Sequence, residues 1–493
     1  MKFDLAAWGA ELTPDRHAVW FNGRWYTYRD LNERATRLAN TLAATGIGFG
    51  ARVGILSAND LAHFDLLFAA PKLGFIFVPF NVHETASGLR EQALTVRPDL
   101  VFCEARYAEL AAQAFDCPRI ALAQYRAWLG NSSRQHIPMP ELSPESIQMI
   151  LFTSGNTGRP KAVMLPYRQT LANAQCTAMS WGLGPEDCTV HAVPCFHAGV
   201  NVLATPLLTL GGSVVLMSAF DPGEFLRLTE RLEATVMSLT PTMYQRLIES
   251  PAFATTDLGR VRWAMSSGGP CPPPIARAML ERGVVFMQGY GMTEAGPNCF
   301  SIPPEDAARH PDSIGSPMPH VDVRIRRQDG EICAANEVGE LTITGEGLCS
   351  GYLGRDDDWS AVCREGWFWT GDLAEQDAEG LYFIRGRRRD AYVSGGQNVY
   401  PAEVEAALVQ CAGVAECAVL SIPDTRWGET GLAAIVMDAG VIGKPDQLRA
   451  ELRNLLAAHK IPSVMLFVDM LPRTGSGKVD RVALRSMLEE EST

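Results

Sequence analysis

Short apolar runs alternate with longer amphipathic stretches along most of this chain. The run RVGIL at 52–56 precedes a helical pattern at 59–73 and a second run at 76–80; 100–103 precedes 106–115, and 213–217 precedes 222–231. Runs that are apolar throughout predict strands buried on both faces, and their alternation with helices predicts parallel sheets covered by helices. Residues 134–148, rich in Pro and polar side chains, predict an exposed connector leading into a buried strand at 149–152. After Leu341 the texture changes. Strands at 340–344 and 381–385 stand among turns such as DAEG at 377–380, which predicts a β-rich subdomain. Beyond Arg389 the pattern predicts a compact α+β unit, with helices at 401–410 and 445–459 and strands at 415–422 and 432–437. The fold class that follows is α/β: a large N-terminal domain of parallel-rich sheets covered by helices plus a β-rich subdomain, residues 1–388, and a small α+β C-terminal domain, residues 389–493.

Composition narrows the picture. The chain has 493 residues, enough for several cores, and its 47% hydrophobic content is ordinary for a globular protein. A net charge of −13 argues against a nucleic-acid surface, because phosphate backbones select basic patches. The 12 cysteines contain no C-x-x-C pair and predict reduced core residues in a reducing, cytoplasmic setting. Asp4 and Glu11 break up the N-terminal segment, so no secretory signal is expected there, and no long uncharged apolar stretch predicts a membrane span.

Candidate chemistry sits in loops. Thr153, Ser154, Gly155, Asn156, Thr157 and Gly158 are closed by Arg159, Pro160 and Lys161. Glycines allow backbone N–H groups to approach a polyphosphate, hydroxyls donate to its oxygens, and the cations offset its charge. The spacing is not that of G-x-x-x-x-G-K-[ST], which removes the P-loop reading. Gly289, Tyr290, Gly291, Met292, Thr293 and Glu294 follow the apolar run 284–287, so the loop hangs at the carboxyl end of a strand, where open α/β sheets bind ligands. A carboxylate there can hold Mg²⁺ and the threonine can bond a phosphate. Asp372, in the run Trp369-Thr370-Gly371-Asp372, can accept from two ribose hydroxyls. Gly386, Arg387, Arg388, Arg389 and Asp390 form a basic patch, and a Gly/Ser loop at 472–481 carries the single lysine Lys478.

These segments, in this order, resemble the acyl-adenylate-forming (AMP-binding) enzymes, most closely the acyl-CoA and aryl-CoA ligases. The resemblance covers nearly everything from Tyr26 to Arg481. It implies that the loop from Thr153 to Lys161 wraps the β- and γ-phosphates of ATP, with Gly268 and Tyr290 beside the nucleotide. Thr293 and Glu294 then meet the α-phosphate and Mg²⁺, Asp372 the ribose, and Arg387 ribose and phosphate. Lys478 bridges the acyl carboxylate and the α-phosphate. His197, Gly269 and Gly291 fall at the acyl pocket, Gly395, Gly396 and Trp427 at the coenzyme A site, and Arg389 at the hinge of a mobile C-terminal domain.

The implied reaction converts a neutral carboxylic acid, fatty or aryl, into acyl-AMP with release of pyrophosphate, and then transfers the acyl group to coenzyme A. A separate phosphopantetheinyl carrier protein is the second acceptor to consider, since no carrier domain is expected after Arg481. A non-catalytic nucleotide-binding relative is the third reading, and a homodimer is allowed for. Three positions depart from the family pattern: Asn156 where Thr or Ser is usual, Ala162 where Gly is usual, and Arg389 where Asp or Lys is usual. Ser463 and Val464 also stand where related ligases often carry a cation for coenzyme A.

Overall fold

The computed structural model describes residues 3–153, 160–269, 271–438, 440–473 and 479–490. The chain packs as two compact units, residues 1–323 with 343–368, and residues 324–342 with 369–493. Arg389 lies within the second unit.

The first unit holds two sheets built mostly of parallel strands, as the alternating pattern requires. One has the order Arg119–Ala121, Leu100–Cys103, Arg52–Leu56, Ile76–Pro79, Ile147–Thr153, Lys161–Pro166. All its pairings are parallel except the last, where Thr153 lies opposite Lys161 in an antiparallel ladder. The other has the order Val285–Gln288, Trp263–Ser266, Val236–Leu239, Cys188–His191, Ser213–Leu216, His17–Phe21, Arg24–Thr27. Its strands run parallel up to an antiparallel hairpin between the last two. Asn22 at φ 48° and Gly23 at φ 84° make that hairpin turn, matching the primed geometry that suits strand twist. Strands such as Val236–Leu239 and Trp263–Ser266 are buried at every position.

Helix boundaries follow local chemistry. The predicted helix at 59–73 begins at Leu61, because the Asp60 carboxylate accepts from the Ala62 amide as N-cap, and it ends at Gly74 in the left-handed region. The predicted helix at 106–115 divides into a 3₁₀ turn, Ala105–Tyr107, and an α-helix, Ala108–Ala114. The helix predicted at 445–459 stops at Leu452. Past it Leu455 is 47% exposed while Leu456 still packs on the core, and Ala457 turns extended (ψ 148°) before a separate 3₁₀ turn at Ala458–Lys460.

In the second unit, Gly428–Met437 is the central strand. It pairs antiparallel with Val414–Asp424 and Tyr392–Ser394 and parallel with Val464–Phe467. Helices Pro401–Leu408 and Pro445–Leu452 cover a core of Tyr392, Val404, Leu408, Val419, Ile435 and Leu452. This is the α+β arrangement expected beyond Arg389. All 12 cysteines are unpaired and none is exposed. Among the described residues no helix is long and apolar enough to cross a membrane.

Three buried histidines in the first unit make stability pH-dependent. Burial lowers His63, His191 and His320 to about 4 each, and His63 further disfavours a charge on His191. Each is therefore neutral when folded, while the unfolded chain takes up protons below pH 6.5. Stability is full above that pH and falls as pH drops toward 4, by up to about 1.4 kcal/mol per pH unit for each histidine. Urea unfolding at pH 7.5 and at pH 5.5 should show this loss. His320→Gln should flatten part of the decline.

Candidate functional site

Register brings the loops of the first unit together. Leu239, Ser266 and Gln288 lie side by side at the carboxyl ends of adjacent parallel strands. Two further bonds extend the ladder past the strand ends, Ser267 N–H to the Leu239 carbonyl at 3.1 Å and Gly289 N–H to the Ser266 carbonyl at 2.8 Å. The loops starting at Thr240, Ser267 and Gly289 thus leave the sheet at one edge, the position at which open α/β sheets bind ligands. Cys188–His191 runs parallel to these strands and feeds the loop that carries Phe196 and His197.

Buried amides fix these loops. Asn59 accepts from the Cys195 amide at 2.7 Å and donates to the Val193 carbonyl at 3.0 Å, which sets the approach to His197. The His197 ring lies 4.7 Å from that of Phe196, edge to face. Asn173 donates to the Asn201 carbonyl at 2.8 Å and accepts from the Asn298 amide. Asn298 donates in turn to Thr177 Oγ1 and to the Val202 carbonyl. The His197 loop and the loop 289–298 are therefore tied to the same helix, Tyr167–Ser180. Gly291 admits no side chain, since a Cβ there would meet the Pro297 carbonyl oxygen at 2.1 Å.

Glu294 is half-buried and meets two hydroxyls. Tyr352 donates to its Oε1 at 3.1 Å, and Thr153 Oγ1 approaches the same oxygen at 3.5 Å. Lys161 Nζ sits 4.4 Å above the Tyr352 ring and makes no ion pair among the described residues. Gln169 holds the Thr293 carbonyl at 3.0 Å, and the Tyr290 ring packs edge-on against Phe300 at 5.5 Å. The predicted residues Thr153, Lys161 and Glu294 are thus brought together around a tyrosine. Sequence reasoning did not single out Tyr352; its only sequence signal is an aromatic residue in the GYLG run, which by itself reads as core. Ser154, Gly155, Asn156, Thr157, Gly158 and Arg159, and Lys478 on its loop, lie outside the described residues.

In the second unit Asp372 is buried, with a side chain 6% exposed, and pairs with Arg387 Nε at 2.7 Å. The strand register places the two residues opposite each other. Arg387 also donates to the Thr370 carbonyl, and Thr370 Oγ1 accepts from the Asp372 amide. Glu340 accepts from the Gly371 amide and from Arg388, which holds the turn before Asp372. Arg389 is largely exposed beside Asp390 at 3.5 Å, and Asp390 also faces Arg481 at 3.6 Å. The Trp427 indole covers Gly395, where a Cβ would lie 2.6 Å from the ring, yet Trp427 stays 42% exposed with Arg426 stacked 4.8 Å away. Among the described residues nothing lies within 4 Å of the Cβ position of Gly396. Lys460 is engaged by Glu403 at 2.6 Å.

The arrangement in the first unit suits a metal-bound polyphosphate. Mg²⁺ commonly takes one or two carboxylates and completes its shell with water and phosphate oxygens. Glu294 offers one such ligand, Lys161 offers a cation for the phosphates, and no cluster of three or more His, Cys, Asp or Glu occurs among the described residues.

Comparison with known proteins identifies the family. The pattern of the AMP-binding enzyme family matches residues 6–353, and that of the AMP-binding enzyme C-terminal domain matches residues 403–478. The chain belongs to the AMP-binding enzyme family. Within it, the chain is most like the acyl- and aryl-CoA ligases. A feruloyl-CoA synthase from Amycolatopsis sp is 36% identical over 95% of each chain. An indoleacetate–CoA ligase from Aromatoleum aromaticum is 31% identical over 99% of each. The solved o-succinylbenzoate coenzyme A synthetase (MenE) from Bacillus subtilis, in complex with ATP and a magnesium ion, superposes with a TM-score of 0.88 at 27% identity, covering 98% of this chain and 99% of that one.

Gly268 and Gly269 should respond differently to substitution. Gly268 sits at φ 87°, whereas Gly269 is outside the left-handed region and has nothing among the described residues within 4 Å of its Cβ position. Gly268→Ala is expected to destabilise by about 1 kcal/mol or more through forced backbone strain, and Gly269→Ala to leave stability unchanged. Denaturant midpoints of the two variants check this.

Proposed function

We propose that the enzyme activates a neutral aryl monocarboxylic acid with ATP and transfers the acyl group to coenzyme A. The observation that carries the choice of acid is the make-up of the loops at the carboxyl edge of the seven-stranded sheet. Segments 192–203, 240–244, 267–271 and 289–296 contain no Lys or Arg, and their one imidazole is His197. A second carboxylate or a phosphate on the acid would find no fixed cation there. The relatives support the aryl reading, being named for feruloyl and indoleacetyl substrates. They also favour coenzyme A over a carrier protein as acceptor.

In this reading the acid's carboxylate oxygen attacks the α-phosphorus of ATP, pyrophosphate leaves, and the coenzyme A thiolate then displaces AMP from the acyl carbon. The first step brings two anions into contact, so charge neutralisation is its main demand. Mg²⁺ would supply part of that when bound, held by Glu294. Lys161, with Thr153 and the loop residues Ser154, Gly155, Asn156, Thr157 and Gly158, binds the β- and γ-phosphates, and Thr293 the α-phosphate. Tyr290 and Gly268 flank the nucleotide. Asp372 and Arg387 take the ribose, and the acid lies against His197, Gly269 and Gly291. Lys478 joins the carboxylate to the α-phosphate during adenylation. For thioester formation the C-terminal domain, pivoting at Arg389, presents Gly395, Gly396 and Trp427 to coenzyme A. Reduced cysteines fit the cytoplasm as its compartment.

Pyrophosphate release across a panel of cinnamate-type, indole-type and straight-chain acids, followed by mass spectrometry of the thioester, tests the reading. Aryl acids are expected to lead; a preference for long straight chains would overturn that choice, and acylation of a carrier protein without coenzyme A would overturn the acceptor. Lys478→Ala should lower acyl-AMP formation by about 10²–10³-fold and leave thiolation of pre-formed acyl-AMP largely intact. Trp427→Ala should raise KM for coenzyme A and spare pyrophosphate release. Single-turnover measurement of each step separates these defects.

A further inference from the structure

We propose that Tyr352 is a positioning residue of the adenylation site, holding the Glu294 carboxylate and the Lys161 ammonium apart so that one serves the metal and the other the phosphates. This rests on the ligase reading above, but Tyr352 lies outside every motif from which that reading was made.

Tyr352 is 2% exposed and is fixed by backbone on both sides. Leu353 N–H bonds the Ala162 carbonyl at 2.9 Å, Met164 N–H bonds the Gly351 carbonyl at 3.0 Å, and Ser350 N–H bonds the Met164 carbonyl at 2.8 Å. Residues 350–353 therefore run along the outer side of strand Lys161–Pro166, with Tyr352 opposite Val163. One residue earlier, Cys349 N–H bonds the Glu294 carbonyl at 2.8 Å. Trp359 closes the far side of the ring, edge to face at 5.3 Å. The phenol thus has one available orientation, with its hydroxyl 3.1 Å from Glu294 Oε1 and its face 4.4 Å below Lys161 Nζ.

Both charges contact the same phenol, and without it they could pair with each other and cancel. The tyrosine prevents that by giving each a partner of its own. The hydroxyl donates to the anion, a charge-assisted bond, and the ring face receives the cation. Lys161 makes no ion pair among the described residues, as this division requires.

The test compares Tyr352→Phe, which keeps the ring, with Tyr352→Leu, which removes ring and hydroxyl. ATP binding without acid substrate is measured by calorimetry over a range of Mg²⁺ concentrations, beside the Mg²⁺ dependence of pyrophosphate release. For Tyr352→Phe the Mg²⁺ concentration at half-effect should rise about tenfold in both measurements, as expected for loss of one hydrogen bond to a charged group. Metal-free ATP affinity should stay the same. For Tyr352→Leu metal-free ATP affinity should fall as well, because Lys161 is then drawn to Glu294. In a Glu294→Gln background, adding Tyr352→Phe should change the Mg²⁺ response no further. A wild-type Mg²⁺ response in Tyr352→Phe, or additive effects in the double variant, would overturn the proposal while leaving the ligase reading intact. An unaltered Mg²⁺ response in Glu294→Gln alone would overturn the ligase assignment of that carboxylate instead.

Discussion

The backbone ladder along strand Lys161–Pro166 is the constraint on which the first unit's candidate site depends. This strand is the edge of the six-stranded sheet, and it is paired on its inner side with Ile147–Thr153. Its outer side takes up residues 350–353, which come from far along the chain. An unpaired edge would expose a row of amides and carbonyls. Covering it with a distant segment satisfies those groups and also delivers a side chain to the place where Thr153, Lys161 and Glu294 meet. A polar centre is thus assembled by bonds that carry no side-chain specificity, and only then equipped by residue type.

The second unit solves a related problem with charge. Asp372 is buried, and a buried carboxylate is costly unless it is paired and hydrogen-bonded. The antiparallel register sets Arg387 opposite it, and Thr370 bonds its amide. Glu340 and Arg388 brace the turn at Gly371. The carboxylate is thereby paired and oriented, and its partner's side chain is 44% exposed. A ligand that uses Asp372 meets Arg387 at the same time.

Much of this was legible in the sequence, and for identifiable reasons. Apolar runs such as 52–56 and 213–217 have strand length and lie between helical patterns, so the parallel sheets followed from periodicity. Glu294 and Thr153 were legible because loops after buried strands have only one place to go. Tyr352 was not, since a tyrosine beside glycines looks like core, and its importance comes from a strand pairing across nearly two hundred residues of sequence. Asp372 and Arg387 were each noticed, but their direct pairing depends on a register that contains an irregularity between Leu373 and Ala374. The helix predicted at 445–459 was overextended because Leu455 faces outward and the chain turns extended at Ala457, features that the apolar pattern does not reveal.

The cysteines have a practical consequence. Burial raises every one of the twelve thiols above its ordinary pKa. Alkylating reagents attack the thiolate, so these side chains react slowly at neutral pH. A cysteine introduced at an exposed position on each unit would therefore take up a maleimide dye well ahead of the native thiols. Either unit can then be labelled at a chosen position in an otherwise natural sequence, without first removing the native cysteines and disturbing the cores they fill.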